Sequence, residues 1–302
     1  MTQSGFWRDL KPTNNRLTLS SFGVLNNVWY IAPQGYAPTA GDTKIRTFTS
    51  FADLSPNLRS RDIVYLVGVL REQFSAPVGV YDVTIMGAAN TPRQATSGGV
   101  PIGGGATWLA PTSPTALTPL LELREQGWAV ENIMFGTVAS TPAIRLKRQE
   151  TAANPDASHA RISGCYFATQ GLSTEHGIGS ESLFHSIIED CLFLGLSGTA
   201  ILGESVSIAT PSSNQILRNY FRECANAIDW PMNYGVIDGN RLKDITTKQI
   251  DINVGADNYV GVNFFDKSQA NISIAGGFTG NASDIWRNYS SDTADMTVGV
   301  PA

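Results

Sequence analysis

The chain has 302 residues, of which 42% are hydrophobic, 9% aromatic and 16% charged, with a formal net charge of −5. Few charges beside plentiful Gly, Ser, Thr and Asn exclude a disordered or coiled-coil chain and fit a turn-rich all-β protein. The acidic balance has no compensating basic block, which argues against nucleic acid as a partner, and no apolar run approaches the roughly 18 residues that span a membrane.

Residues 1–22 are polar and irregular, with Trp7, Lys11-Pro12 and Asn14-Asn15. They are expected to form an N-terminal arm ordered by docking on a neighbouring molecule. The opening residues lack a basic segment followed by an apolar core, so no secretory signal is expected and assembly inside a cell is. Asn27-Val28-Trp29-Tyr30-Ile31, a short amphipathic stretch from Phe48 to Leu58, and Asp62 to Gly68 predict a strand, a short helix and a strand. Residues 90–119 are rich in Gly, Pro and Thr and are expected as one long loop pinned by Trp108. Their Gly103-Gly104-Gly105 triplet is no phosphate cradle, because Ala106-Thr107-Trp108 follows where Lys and Ser/Thr are needed.

From residue 130 onward one apolar pattern returns six times: Val130, Ile133, Phe135; Ile162, Cys165, Phe167; Ile188, Cys191, Phe193; Ile216, Asn219, Phe221; Ile237, Asn240, Leu242; Val260, Asn263, Phe265. A second apolar position follows each copy, at Ile144, Ile178, Ile201, Ile228, Ile250 and Ile272. The copies lie 21 to 32 residues apart, the spacing of a solenoid in which each copy is one coil. Within a copy the first and middle positions differ in parity, so a single straight strand cannot point both inward and each coil must hold at least two short strands and a bend. Asn219, Asn240 and Asn263 fall at that bend, where Asn tolerates unusual backbone angles and its amide can bond along a ladder. Cys165 and Cys191 fill the same slot and read as small buried hydrophobes.

This arrangement resembles the right-handed parallel β-helix superfamily, the pectate-lyase-like and phage tailspike-like proteins. The strand, helix and Gly-ended strand of the N-terminal third are similar to the cap that closes the open end in that family. The resemblance implies an all-β, single-stranded right-handed parallel β-helix over 23–290 with a short N-terminal capping helix, and a tail at 291–302 free to pair with another subunit. It also implies a bacteriophage virion setting and a homotrimer.

The outward positions hold the candidate chemistry. Asp229 and Asp251 each follow the second recurring Ile in adjacent coils, so both are expected to point outward about 5 Å apart. That separation suits a retaining glycosidase pair, and Trp230 beside them suits stacking on a sugar ring. Arg145, Gly179, Leu202 and Ser273 share their slot, which provides no acidic cluster and neighbouring base of the kind a calcium-dependent lyase needs. Glu189, Asp190, Arg218 and Asp238 form a second outward group, with Asp190 and Arg218 expected as a surface salt bridge worth under about 1 kcal/mol. His159, His176 and His185 share no slot of the repeat and lack metal-ligand spacing, with His176 beside Glu175 the one singled out for test. No cofactor and no metal is expected. The sum is a non-enzymatic virion structural protein, a capsid decoration, spike or tail-associated component that contacts other virion proteins and host surface glycans. The alternative is a polysaccharide depolymerase using Asp229 and Asp251.

Overall fold

The computed structural model describes residues 27–33, 47–88, 106–147, 157–181, 184–204, 212–252 and 257–266, and the backbone of three further strands, Ile272–Ile274, Asp284–Trp286 and Tyr289–Ser290. The arm at 1–22 and the tail at 291–302 lie outside the described residues.

From Ile63 to Ile274 each coil gives one short strand to each of three sheets, and Asp284–Trp286 and Tyr289–Ser290 extend the first two. The first coil comprises Ile63–Leu66, Val69–Arg71 and Phe74–Ser75. Among the described residues the sheets hold 11, 9 and 8 strands, each strand hydrogen-bonded to the corresponding strand of the coil before and after. The pairing is parallel and in the register of the repeat: Ile162 on Ile188 in the first sheet, Phe167 on Phe193 in the second, Ile178 on Ile201 in the third. Parallel strands of one sheet are joined by right-handed connections. The fold is a right-handed parallel β-helix.

Like residues therefore bury on like. Phe51, Trp108, Phe135, Phe167, Phe193 and Phe221 form one file of stacked rings, with successive centroids 4.9, 5.7, 5.4, 4.8 and 4.9 Å apart. Trp108 corrects the loop expected at 90–119. Residues 90–105 lie outside the described residues, whereas Thr107–Leu109 is a strand of the second sheet with Trp108 in the Phe slot. The Gly- and Pro-rich flanks hid this rung from periodicity.

The predicted capping helix is a single turn, Phe51–Leu54, too short to persist without tertiary support. Ser50 accepts from Asp53 N at 3.0 Å, and the Glu72 carboxylate accepts from Phe51 N and Ala52 N at 2.8 Å each. Phe51 and Leu54 are thereby set on the first core layer, which an open solenoid end must cover. Buried Asp62 ties the first strand to this cap, accepting from Asn27 N, Trp29 Nε1 and Arg59 N at 2.9, 2.7 and 2.9 Å.

The bend between the first and second sheets is held by the expected asparagine ladder. Asn219 donates to Ile188 O at 3.0 Å and accepts from Cys191 N at 2.9 Å; Asn240 donates to Ile216 O at 2.9 Å and accepts from Asn219 N at 2.9 Å. Cys165 and Cys191 continue the slot as buried free thiols. Beside this ladder the chain turns through left-handed backbone at Asn132, Gly164, Asp190, Arg218, Gly239 and Val262, with φ between 53° and 66°. The turn N–H of Asp190 bonds to Leu217 O at 3.1 Å and that of Arg218 to Asp238 O at 3.0 Å, so these donors are satisfied by the next coil.

Candidate functional site

Asp229 and Asp251 are register partners on adjacent strands of the third sheet, in the outward column that runs Arg145, Gly179, Leu202, Asp229, Asp251, Ser273. The sequence places the pair correctly, but its exposure differs from expectation. Asp251 is 0% exposed. One of its carboxylate oxygens accepts from the Lys248 ammonium, and the other, Oδ1, has no hydrogen-bond partner. Asp229 is partly buried; burial first, and then the charge of Asp251, raise its carboxyl above the usual range, with Lys248 opposing. Lys248 itself is raised by its bond to Asp251. The pair is thus one carboxyl raised by burial and by its neighbour's charge, beside a buried carboxyl group that is bonded to the Lys248 ammonium.

Trp230 corrects the expected glycan contact. It is 0% exposed and belongs to the core. Gly203 on the neighbouring coil makes the room: a Cβ there would lie 2.7 Å from Trp230 Cδ1. After Asp229 the chain turns inward, and no face of the indole is left for a sugar.

Arg145 is committed elsewhere. Its guanidinium bonds to both carboxylate oxygens of Glu204, each at 3.1 Å, two coils away across Gly179, where a side chain would collide with Pro142 Cγ at 2.6 Å. On the first sheet the expected Asp190–Arg218 bridge is present at 3.0 Å, and it extends further than the sequence indicates. Arg218 also meets Glu189 at 2.6 Å, and Arg161 joins Glu189 at 2.7 Å to Glu131 at 3.6 Å. These carboxylates hold Arg218 charged. Asp238 shares the face but not the ladder, its Oδ1 lacking a partner.

His176 and Glu175 are structural. Glu175 is fully buried and accepts from Thr137 Oγ1, Thr169 Oγ1 and Gln170 N, closing the loop 169–175. His176 Nδ1 accepts from Thr199 N at 2.9 Å, and burial lowers its pKa. His159 and His185, expected to share no slot, lie one above the other in one turn column, their tilted rings 5.1 Å apart between centroids.

A surface that the sequence did not mark lies on the outer face of the second sheet. Tyr220, Arg241 and Phe264 are register partners one position before the Phe slot. The Arg241 guanidinium sits 5.4 Å from the Tyr220 ring centroid, and Phe264 is 49% exposed. Flanking Arg222 pairs with Glu223 at 2.7 Å and Lys243 with Asp266 at 3.7 Å. Arg241 has no ion-pair partner among the described residues. The signal was present as an alternating outward position, but which outward column is aromatic has meaning only once the coils are in register.

No protein-family model and no curated protein sequence matches this chain. Among solved structures, the PL6 family alginate lyase AlyGC aligns at 11% identity and a TM-score of 0.35, over 74% of this chain and 39% of that one. The pectate lyase Pel9A aligns at 12% and 0.37, over 87% of this chain and 61% of that one. A mannuronic acid specific polysaccharide family 6 lyase from human gut microbiota aligns at 12% and 0.32, over 78% and 79%. The chain spans 39% and 61% of the length of the first two.

Proposed function

We propose that the chain is a rigid β-helical rod, a surface component of a bacteriophage particle that assembles as a homotrimer and meets host glycans along its side. The observation that carries the rod is the unbroken file of six stacked rings from Phe51 to Phe221, flanked by the asparagine ladder. The coils are locked to one another by backbone pairing throughout, by stacked rings as far as Phe221 and by buried amides from Asn219 onward, so bending would break pairing and core packing together. The particle setting and the trimer rest on the resemblance to tailspike-like proteins. For the glycan contact we assign Phe264 and Arg241, with Tyr220 beneath: the exposed Phe264 ring can stack on a sugar, and the exposed Arg241 guanidinium, set over the half-buried Tyr220 ring and without a carboxylate partner among the described residues, can bond sugar hydroxyls or acids. The test is a cryo-electron microscopy map of the intact particle with the purified protein's mass by sedimentation. A trimeric rod on the head or tail is expected; a monomer missing from the particle overturns the proposal.

A second reading, a polysaccharide depolymerase, is favoured by Asp229, whose carboxyl is raised by burial and by its register partner Asp251, the direction of shift that general acid work needs. The burial of Asp251 weighs against its attacking a substrate. Incubation with host capsular or lipopolysaccharide discriminates. Shortened oligosaccharides from the native chain and none from Asp229→Asn would establish the depolymerase.

A further inference from the structure

His159 and His185 occupy a column created by the turns between the third and first sheets. Asp82, Gly127, His159, His185, Ser213, Tyr234 and Asp257 take the left-handed conformation there, with φ of 59° at His159 and 56° at His185. The N–H of His159 bonds to Phe184 O at 2.9 Å and that of His185 to Ser212 O at 3.1 Å. Both backbones are therefore fixed coil on coil, while both side chains are exposed.

The two rings lie 5.1 Å apart between centroids, with their planes inclined by 31°. Their neighbours in the column are Gly127, over which the Asp82 carboxylate lies, and Ser213, which is small. A metal ion bound to two imidazoles at about 2.0–2.1 Å each needs the ligating nitrogens roughly 3–4 Å apart. Rotation about the side-chain bonds, which both exposed side chains allow, turns one nitrogen of each ring toward a common point while the turn stays fixed. Imidazole nitrogens suit zinc, nickel and copper, and the remaining coordination positions open to water.

We propose that His159 and His185 form a two-histidine site for a divalent transition-metal ion of the zinc type, which clamps two adjacent coils from outside. The site is independent of the glycan-contact face, which lies on another sheet. The third histidine is an internal control, because His176 Nδ1 already accepts from Thr199 N and its ring is partly buried.

The experiment is isothermal titration of zinc chloride into the full chain in a non-coordinating buffer, paired with thermal melting. The variants are His159→Asn, His185→Asn and His176→Asn; Asn is chosen because it tolerates the left-handed turn. One zinc ion per chain is expected, with affinity falling by an order of magnitude or more in His159→Asn and in His185→Asn and unchanged in His176→Asn. Zinc should raise the melting temperature of the native chain and not that of His159→Asn, since a ligand that binds only the folded state stabilises it. Equal binding by all three variants, loss in His176→Asn alone, no heat beyond dilution, or half an ion per chain with a doubled mass would each overturn the site.

Discussion

Phe193 and Phe221 stack at 4.9 Å with planes 7° apart, and Phe167 covers the other face of Phe193 at 4.8 Å and 6°. A ring sandwiched in this way contacts two coils besides its own. Replacing Phe193 by Ala should cost about 3–5 kcal/mol, because the rings above and below are held by backbone pairing and cannot collapse into the cavity. Urea unfolding followed by circular dichroism measures it. A loss below about 1 kcal/mol would mean that the file does not bear on stability.

The asparagine ladder predicts a different kind of loss. Asn240 is fully buried, donates to Ile216 O and accepts from Asn219 N. Asn240→Ala leaves that buried donor and acceptor without partners and should cost about 1–3 kcal/mol for each group left unsatisfied. Amide exchange at Asn219, one coil from Asn240, should quicken more than at Ile188, two coils from it, and uniform acceleration across both coils would refute a local role.

The raised carboxyl of Asp229 sets a pH dependence. The folded chain holds this proton more tightly than the unfolded chain does, so the contribution is favourable below the usual Asp range and is lost as pH rises through the raised folded value. At neutral pH an ionised Asp229 beside Asp251 is a cost. Asp229→Asn should therefore be more stable than the native chain at pH 7, with the gap closing toward pH 3. Urea midpoints across that range decide it, and an Asn variant less stable at pH 7 would reverse the sign.

Val262 holds φ at 53° in a column where Gly164 and Gly239 hold 62° and 66°. A β-branched residue is disfavoured in this region by roughly 1–2 kcal/mol, and part of that strain is offset by the entropy Gly loses on folding. Val262→Gly should leave the protein as stable or up to about 1 kcal/mol more stable, as thermal melting will show. A loss of that size would show that the valine side chain makes a contact that outweighs its backbone strain.

The coil was legible because its signal is local and repeated. Val130, Ile162, Ile188, Ile216, Ile237 and Val260 are all buried on one sheet, as their spacing requires, and Asn219, Asn240 and Asn263 line up because a bend recurs at the same step. The slot shared by Asp190 and Arg218, and by Asp229 and Asp251, follows from the same counting. Trp108 escaped because its rung lacks the repeat's flanking residues.

Residue order alone thus settled the periodic features: an all-β solenoid, its inward columns and its cap, since inward burial and strand alternation leave a trace at every turn. The folded chain decided what lies between the columns. Whether an outward carboxylate such as Asp251 is solvated or sealed, whether Trp230 turns in against Gly203, and whether His159 meets His185 depend on the path of turns whose lengths vary from coil to coil. Left-handed turn geometry has no periodic mark in composition, because Asn, Asp, His, Arg and Gly all adopt it here. Only the pairing of one coil on the next brings those side chains into contact.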